Sequence, residues 1–134
     1  METTPRSAAD RIGVASALTA LNVVVASGFS IAGLIKPELV LPAGETPTNA
    51  SAIFAMYAAA RTIPLALTTM VAIYKGSASA LLILGLLAGI IQLADAAVGL
   101  LQHDVGKTVG PLLLAIVQLY AVTRFLKASK ATSN

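Results

Sequence analysis

Three side chains with the means to do chemistry stand inside long apolar runs: Tyr57, Arg61 and Asp95. A carboxylate can act as general acid or base, a guanidinium can hold that charge or stabilise an oxyanion, and a phenol can donate a hydrogen bond. If the set is catalytic, Asp95 takes the acid/base role, with Arg61 and Tyr57 assisting, and isomerisation or epoxide opening suits them. The amides of Asn22, Gln92 and Gln118 lie in the first, third and fourth apolar runs and are candidate ligand-binding groups. A lone His103 beside Asp104, with no second histidine in the chain, cannot make the usual multi-histidine metal site, so no metal is expected.

The elements that must position these groups follow from composition. Of 134 residues, 57% are hydrophobic and 11% charged, a balance a water-soluble fold could not cover. A spanning helix needs about 20 mostly apolar residues. Four such runs are present, so the expected class is all-α, an integral membrane four-helix bundle in a single domain, with helices near 11–35, 51–74, 78–101 and 109–126. Ser7 and Asp10 are candidate caps for the first helix, and Lys36-Pro37 stops it. Thr48, Asn49 or Ser51 can cap the second after the proline-rich outer connection, which also carries Glu38 and Glu45. Lys75-Gly76-Ser77 makes a tight turn into the third, and residues 102–107 read as a polar loop before the fourth.

A cleavable signal peptide is the rival reading of the first helix, because Ala26-Ser27-Gly28 follows Val23-Val24-Val25 as a small-residue site. The apolar run continues through Phe29 and Ile31 to Ile35, longer than an ordinary signal core, which favours a retained helix. Counting lysine and arginine places Arg6, Arg11, Lys75, Arg124, Lys127 and Lys130 on one side, against Lys36 and Lys107 on the other. Both termini are therefore expected in the cytoplasm. Tyr74 and Tyr120 suit headgroup-level anchors. The host membrane, bacterial inner or endoplasmic reticulum, stays open. The net charge of +3 is spread singly over helix ends, which argues against nucleic acid as a partner. The absence of cysteine removes thiolate and disulfide chemistry, and no nucleotide loop or nucleophile elbow supports a cofactor.

Arg61 falls about 15 Å into the second helix, near the middle of the hydrocarbon, where a charge needs a partner or a wet cavity. Asp95, about 10 Å below the same surface, is the expected partner. Helical periodicity groups Tyr57, Arg61, Pro64 and Thr68 on one face of helix two and Gln92, Asp95, Gln102 and His103 on one side of helix three. Asn22 shares a face with Ala15, Thr19, Ala26, Phe29 and Gly33, and Gln118 with Pro111, Ala115 and Val122. The expectation is that these stripes converge inside the bundle. Gly85 and Gly89 add a G-x-x-x-G step for close helix approach.

The run Tyr57-Ala58-Ala59-Ala60-Arg61 together with Leu93-Ala94-Asp95-Ala96 resembles the DoxX-like superfamily of small four-helix membrane proteins, over nearly the whole chain. The resemblance implies a four-helix bundle related in architecture to sterol-isomerase-type membrane domains, which bind lipophilic molecules between helices and use intramembrane acidic groups. It names no substrate.

Three functions compete. The first is a lipophilic-ligand pocket in the outward half of the bundle, lined by Tyr57, Arg61, Asn22, Gln92, Asp95 and Gln118, and an enzyme site if Asp95 acts as acid or base. The second is a non-enzymatic membrane subunit or scaffold whose Arg61–Asp95 pair serves assembly, with membrane lipids, a second copy or another membrane protein as partner. The third is a small proton-coupled exporter, disfavoured because helix one carries no acidic residue at membrane depth.

Overall fold

The computed structural model describes the backbone of residues 8–42 and 44–131 and the side chains of residues 13–42 and 44–127. Four helices follow in order: α1 (Ala8–Ile35), α2 (Asn49–Tyr74), α3 (Ala78–Leu101) and α4 (Val105–Ala131), with a 3-10 turn, Pro37–Leu39, between the first two. Among the described residues there is no strand. Each helix holds a segment of 23 to 26 residues long and apolar enough to cross a membrane.

Local chemistry sets the boundaries. Pro37 ends α1 and opens the 3-10 turn. Thr48 caps α2 with its hydroxyl accepting from the Ser51 N–H at 3.2 Å while the Ser51 hydroxyl accepts from the Thr48 N–H at 2.9 Å, a reciprocal box that satisfies two end donors. Both inter-helix turns on the α3 side close in the same way. Ser77 N–H reaches back to the Ala72 carbonyl, and Gly76 takes the left-handed conformation at φ 61°. At the other end of α3, Asp104 N–H reaches the Gly99 carbonyl, and the left-handed position at φ 53° is filled by His103. Helix α4 starts earlier than the sequence pattern suggests because Asp104 caps it, accepting from Lys107 N–H at 3.1 Å. The residues read as a loop, Gly106 and Lys107, form its first turn. Ser7 and Arg6 lie outside the described residues, as do the side chains of Asp10, Arg11 and Lys130.

The bundle turns the soluble pattern inside out. Its buried apolar residues are mostly small, Ala59, Ala72, Ala88, Ala96 and Ala115 among them, whereas Phe54, Leu101 and Tyr74 are 71%, 81% and 91% exposed. Small interior residues let helices approach where lipid, rather than water, surrounds the outside. Helices α3 and α4 pack most closely, α1 and α2 next; α2 touches α3 only lightly and, among the described residues, does not touch α4. Glycine sets the α3–α4 distance. A methyl group at Gly99 would run into the backbone of Lys107 and Thr108, and one at Gly89 into the Leu119 side chain.

Candidate functional site

The polar residues of the bundle fall into two groups that the fold keeps apart. The inner group is built on α1. Asn22, Gln92, Gln118 and Thr19 are each at least 96% buried. Gln92 Nε2 donates to Asn22 Oδ1 at 2.6 Å, joining α3 to α1. Gln118 Nε2 donates to Thr19 Oγ1 at 2.8 Å, joining α4 to α1, while the Thr19 hydroxyl donates to the Ala15 carbonyl one turn back. Ser27 Oγ donates to the Thr62 carbonyl of α2 at 3.1 Å. Helix α1 thus exchanges a side-chain hydrogen bond with each of the other three helices. Asn22 Nδ2 and Gln118 Oε1, one donor and one acceptor, are buried without a hydrogen-bond partner.

The outer group is Tyr57, Arg61 and Asp95, all exposed on the flanks of α2 and α3. The expected ion pair is not formed: among the described residues the salt bridge is Lys107 with Asp104, at 3.4 Å. The expected convergence of polar stripes inside the bundle is likewise corrected. On α2 the interior face carries Ala59 and Thr69, and Tyr57, Arg61, Pro64 and Thr68 look outward. On α3 Gln92 is buried and Asp95 is not, because Asp95 stands about 60° round the helix from Gln92, past the edge of the packed face. Phe29, expected beside Asn22, is 65% exposed.

Height along the bundle relates the outer groups to one another. At about 1.5 Å per residue, Arg61 stands roughly 20 Å above the α2 end at Tyr74, and Tyr57 and Asp95 each roughly 26 Å above the turn between α2 and α3. The guanidinium level is therefore about 6 Å from the carboxylate level, in the half of the bundle away from the α2–α3 turn, and the helices exceed the roughly 30 Å of a bilayer's hydrocarbon.

Lys107 was read from the sequence only as a loop cation, and the fold gives it a larger role. Its Nζ donates to the Val40 carbonyl at 3.2 Å, the Leu41 carbonyl at 3.0 Å and Gln102 Oε1 at 3.2 Å, tying the connection between α1 and α2 to the start of α4 and the end of α3. The Asp104 carboxyl is held below the ordinary carboxylate range, first by the Lys107 backbone N–H it caps and further by the Lys107 ammonium. Thr19 and Ser27 also escaped sequence reading as helix-joining groups. Thr19 shares the spacing of Asn22, which is the available signal; Ser27 has none.

In chemical terms the inner group holds amides and hydroxyls and no titratable side chain, so it can join helices or meet a polar group but cannot run acid/base chemistry. Acid/base capacity lies outside, on Asp95. A cleft bounded by Ala15, Thr19, Leu81, Leu82, Val122 and Phe125 opens at the end of the bundle near the α2–α3 turn, away from Tyr57, Arg61 and Asp95; its volume, about 10 Å³, has room for roughly one water. Among the described residues, no cluster of three or more His, Asp or Glu side chains is arranged to hold a metal ion. Comparison with protein-family models, with curated proteins and with solved structures gave no match.

Proposed function

We propose that this chain is a membrane assembly subunit, a small multi-pass protein that joins another protein within the bilayer through the outward flank of α2 and α3. The observation that carries the reading is the exposure of Arg61 and Asp95, neither of them ion-paired among the described residues, within helices long and apolar enough to cross a membrane. A lipid-facing arginine near mid-membrane costs from about 3 to more than 10 kcal/mol. A protein partner bearing the opposite charge would remove that cost. The lysine and arginine distribution supports both termini in the cytoplasm. The run of α1 through Ala26-Ser27-Gly28, with Ser27 bonded to α2, supports its retention, since cleavage there would detach Thr19 and Asn22 from the core. Native electrophoresis of gently solubilised membranes tests the assembly reading. Wild type should migrate as a complex that Arg61→Gln and Asp95→Asn both lose; migration of all three as the free chain would refute it.

A second reading keeps the lipophilic ligand that the DoxX-like resemblance implies. Its support is the buried pair of unpartnered atoms, Asn22 Nδ2 and Gln118 Oε1, which are what the polar end of a bound molecule would meet. Native mass spectrometry beside Asn22→Leu decides it: a stoichiometric lipophilic adduct lost in the variant supports the ligand, and identical heterogeneous phospholipids on both reject it.

A further inference from the structure

Away from the helix ends and connections, the exposed charges among the described residues are Arg61 and Asp95, one of each sign, on helices adjacent in sequence. On α2, Leu65, Arg61, Ala58 and Phe54 form one strip at three- and four-residue spacing. Leu65 is half-buried, and the strip is exposed from Arg61 to Phe54. On α3, Ala88 is buried, Ile91 half-buried and Asp95 exposed, again in the direction of the outer surface. Arg61 and Asp95 therefore each stand one turn from a half-buried residue, on an exposed flank beside packed faces that stay buried as far as Ala59 on α2 and Gly99 on α3. Such a flank is neutral in sum and contains its own complement.

We infer that the partner is a second copy of this chain, related by a two-fold axis along the membrane normal, so that Arg61 of each copy meets Asp95 of the other. The inference rests on the assembly reading above and names its partner. A two-fold contact is self-complementary: if one residue meets another, the reverse contact forms as well. An axis along the normal preserves height, so both pairs share the same offset of about 6 Å, within the span of an extended arginine side chain. Two pairs then form at once, and all four membrane charges are answered with no further protein. Ala58, beside Arg61 on the uncovered strip, leaves room for close helix approach. A contact between unlike partners would need a second chain supplying both an acid and a base at matching heights. The second copy already has them.

The test is charge-reversal complementation. Because the chain has no cysteine, one introduced in the outer connection, Glu45→Cys, takes donor and acceptor dyes, and energy transfer between copies in lipid vesicles reads association. Wild type should associate. Arg61→Asp alone and Asp95→Arg alone should each lose self-association by at least about tenfold, since each sets like charges against each other twice. The two variants mixed should associate at the wild-type level, because every contact is then between opposite charges. Failure of the mixture, with both variants helical and monodisperse, overturns the second copy. If the reversals do not insert, Arg61→Gln and Asp95→Asn replace them, and unchanged energy transfer in both overturns it equally. Wild type that brings down a different membrane protein, lost in Arg61→Gln, but shows no transfer between its own copies rejects this inference while the assembly reading survives. Wild type with neither transfer nor any bound protein rejects both.

Discussion

Gln92 on α3 donates its amide hydrogen to Asn22 on α1 across 2.6 Å, in a part of the bundle where each side chain is at least 96% buried. Removing one member leaves the other unsatisfied in an apolar interior. Gln92→Leu should lower stability by about 1–2 kcal/mol, and Asn22→Leu by a similar amount. The double replacement should recover most of the loss, because nothing polar is then stranded. Reversible unfolding in mixed micelles measures the cycle, and strict additivity would show that the two side chains do not interact.

Close backbone approach at the α3–α4 end makes Gly99 the least replaceable glycine of the bundle. Gly99→Ala should cost roughly 1–3 kcal/mol through overpacking. Gly110→Ala is the control, since a methyl group there meets nothing within 4 Å. The same unfolding measurement compares them, and equal stability of the two variants would contradict the packing described.

The latch at Lys107 predicts a pH response. The folded-state value of Asp104 lies below its ordinary 3.8, so its stabilising effect is complete above that value and disappears as pH falls below it. A spin label at Glu45→Cys should gain mobility on acidification below pH 3.8, and Asp104→Asn should remove that step. Lys107→Met should free the label at every pH, because the Val40 and Leu41 carbonyls lose their donor.

At φ 53°, His103 fills a left-handed turn position that suits glycine. His103→Gly should raise stability by roughly 0.5–1 kcal/mol. A fall in stability would mean that the exposed imidazole makes a contact the turn needs.

Arg61→Gln should leave the stability of the isolated chain in micelles within about 0.5 kcal/mol of wild type, because no ion pair among the described residues holds that guanidinium. A loss of 3 kcal/mol or more, the size seen when a buried ion pair is broken, would restore the intramolecular pair.

The four helices are legible because length and hydropathy suffice for them, and Pro37, Thr48 and Gly76 mark their ends. Asn22, Gln92 and Gln118 are legible as interior groups since each shares a helical face with small residues. Arg61 and Tyr57 were placed on the wrong face for a physical reason. Periodicity states which residues share a face, and the cost of burying charge in lipid then argues that the polar face points inward. That argument treats the chain as alone. On α2 the packed face is marked by small size, Ala59 and Thr69, and not by polarity. The start of α4 was missed because Asp104, Gly106 and Lys107 have loop composition, and only their three-dimensional closure on the turn makes them a helix cap.

Two of the three side-chain hydrogen bonds that tie α1 to its neighbours link residues 70 and 99 positions apart. At roughly 5–20 residues per second of synthesis, Asn22 emerges about 4–14 s before Gln92 and longer still before Gln118 can meet Thr19. During that interval the nascent first helix holds an unanswered amide against the bilayer. A chain halted before α3 would keep it, and so display a lasting mark of incompleteness to whatever machinery inspects new membrane proteins.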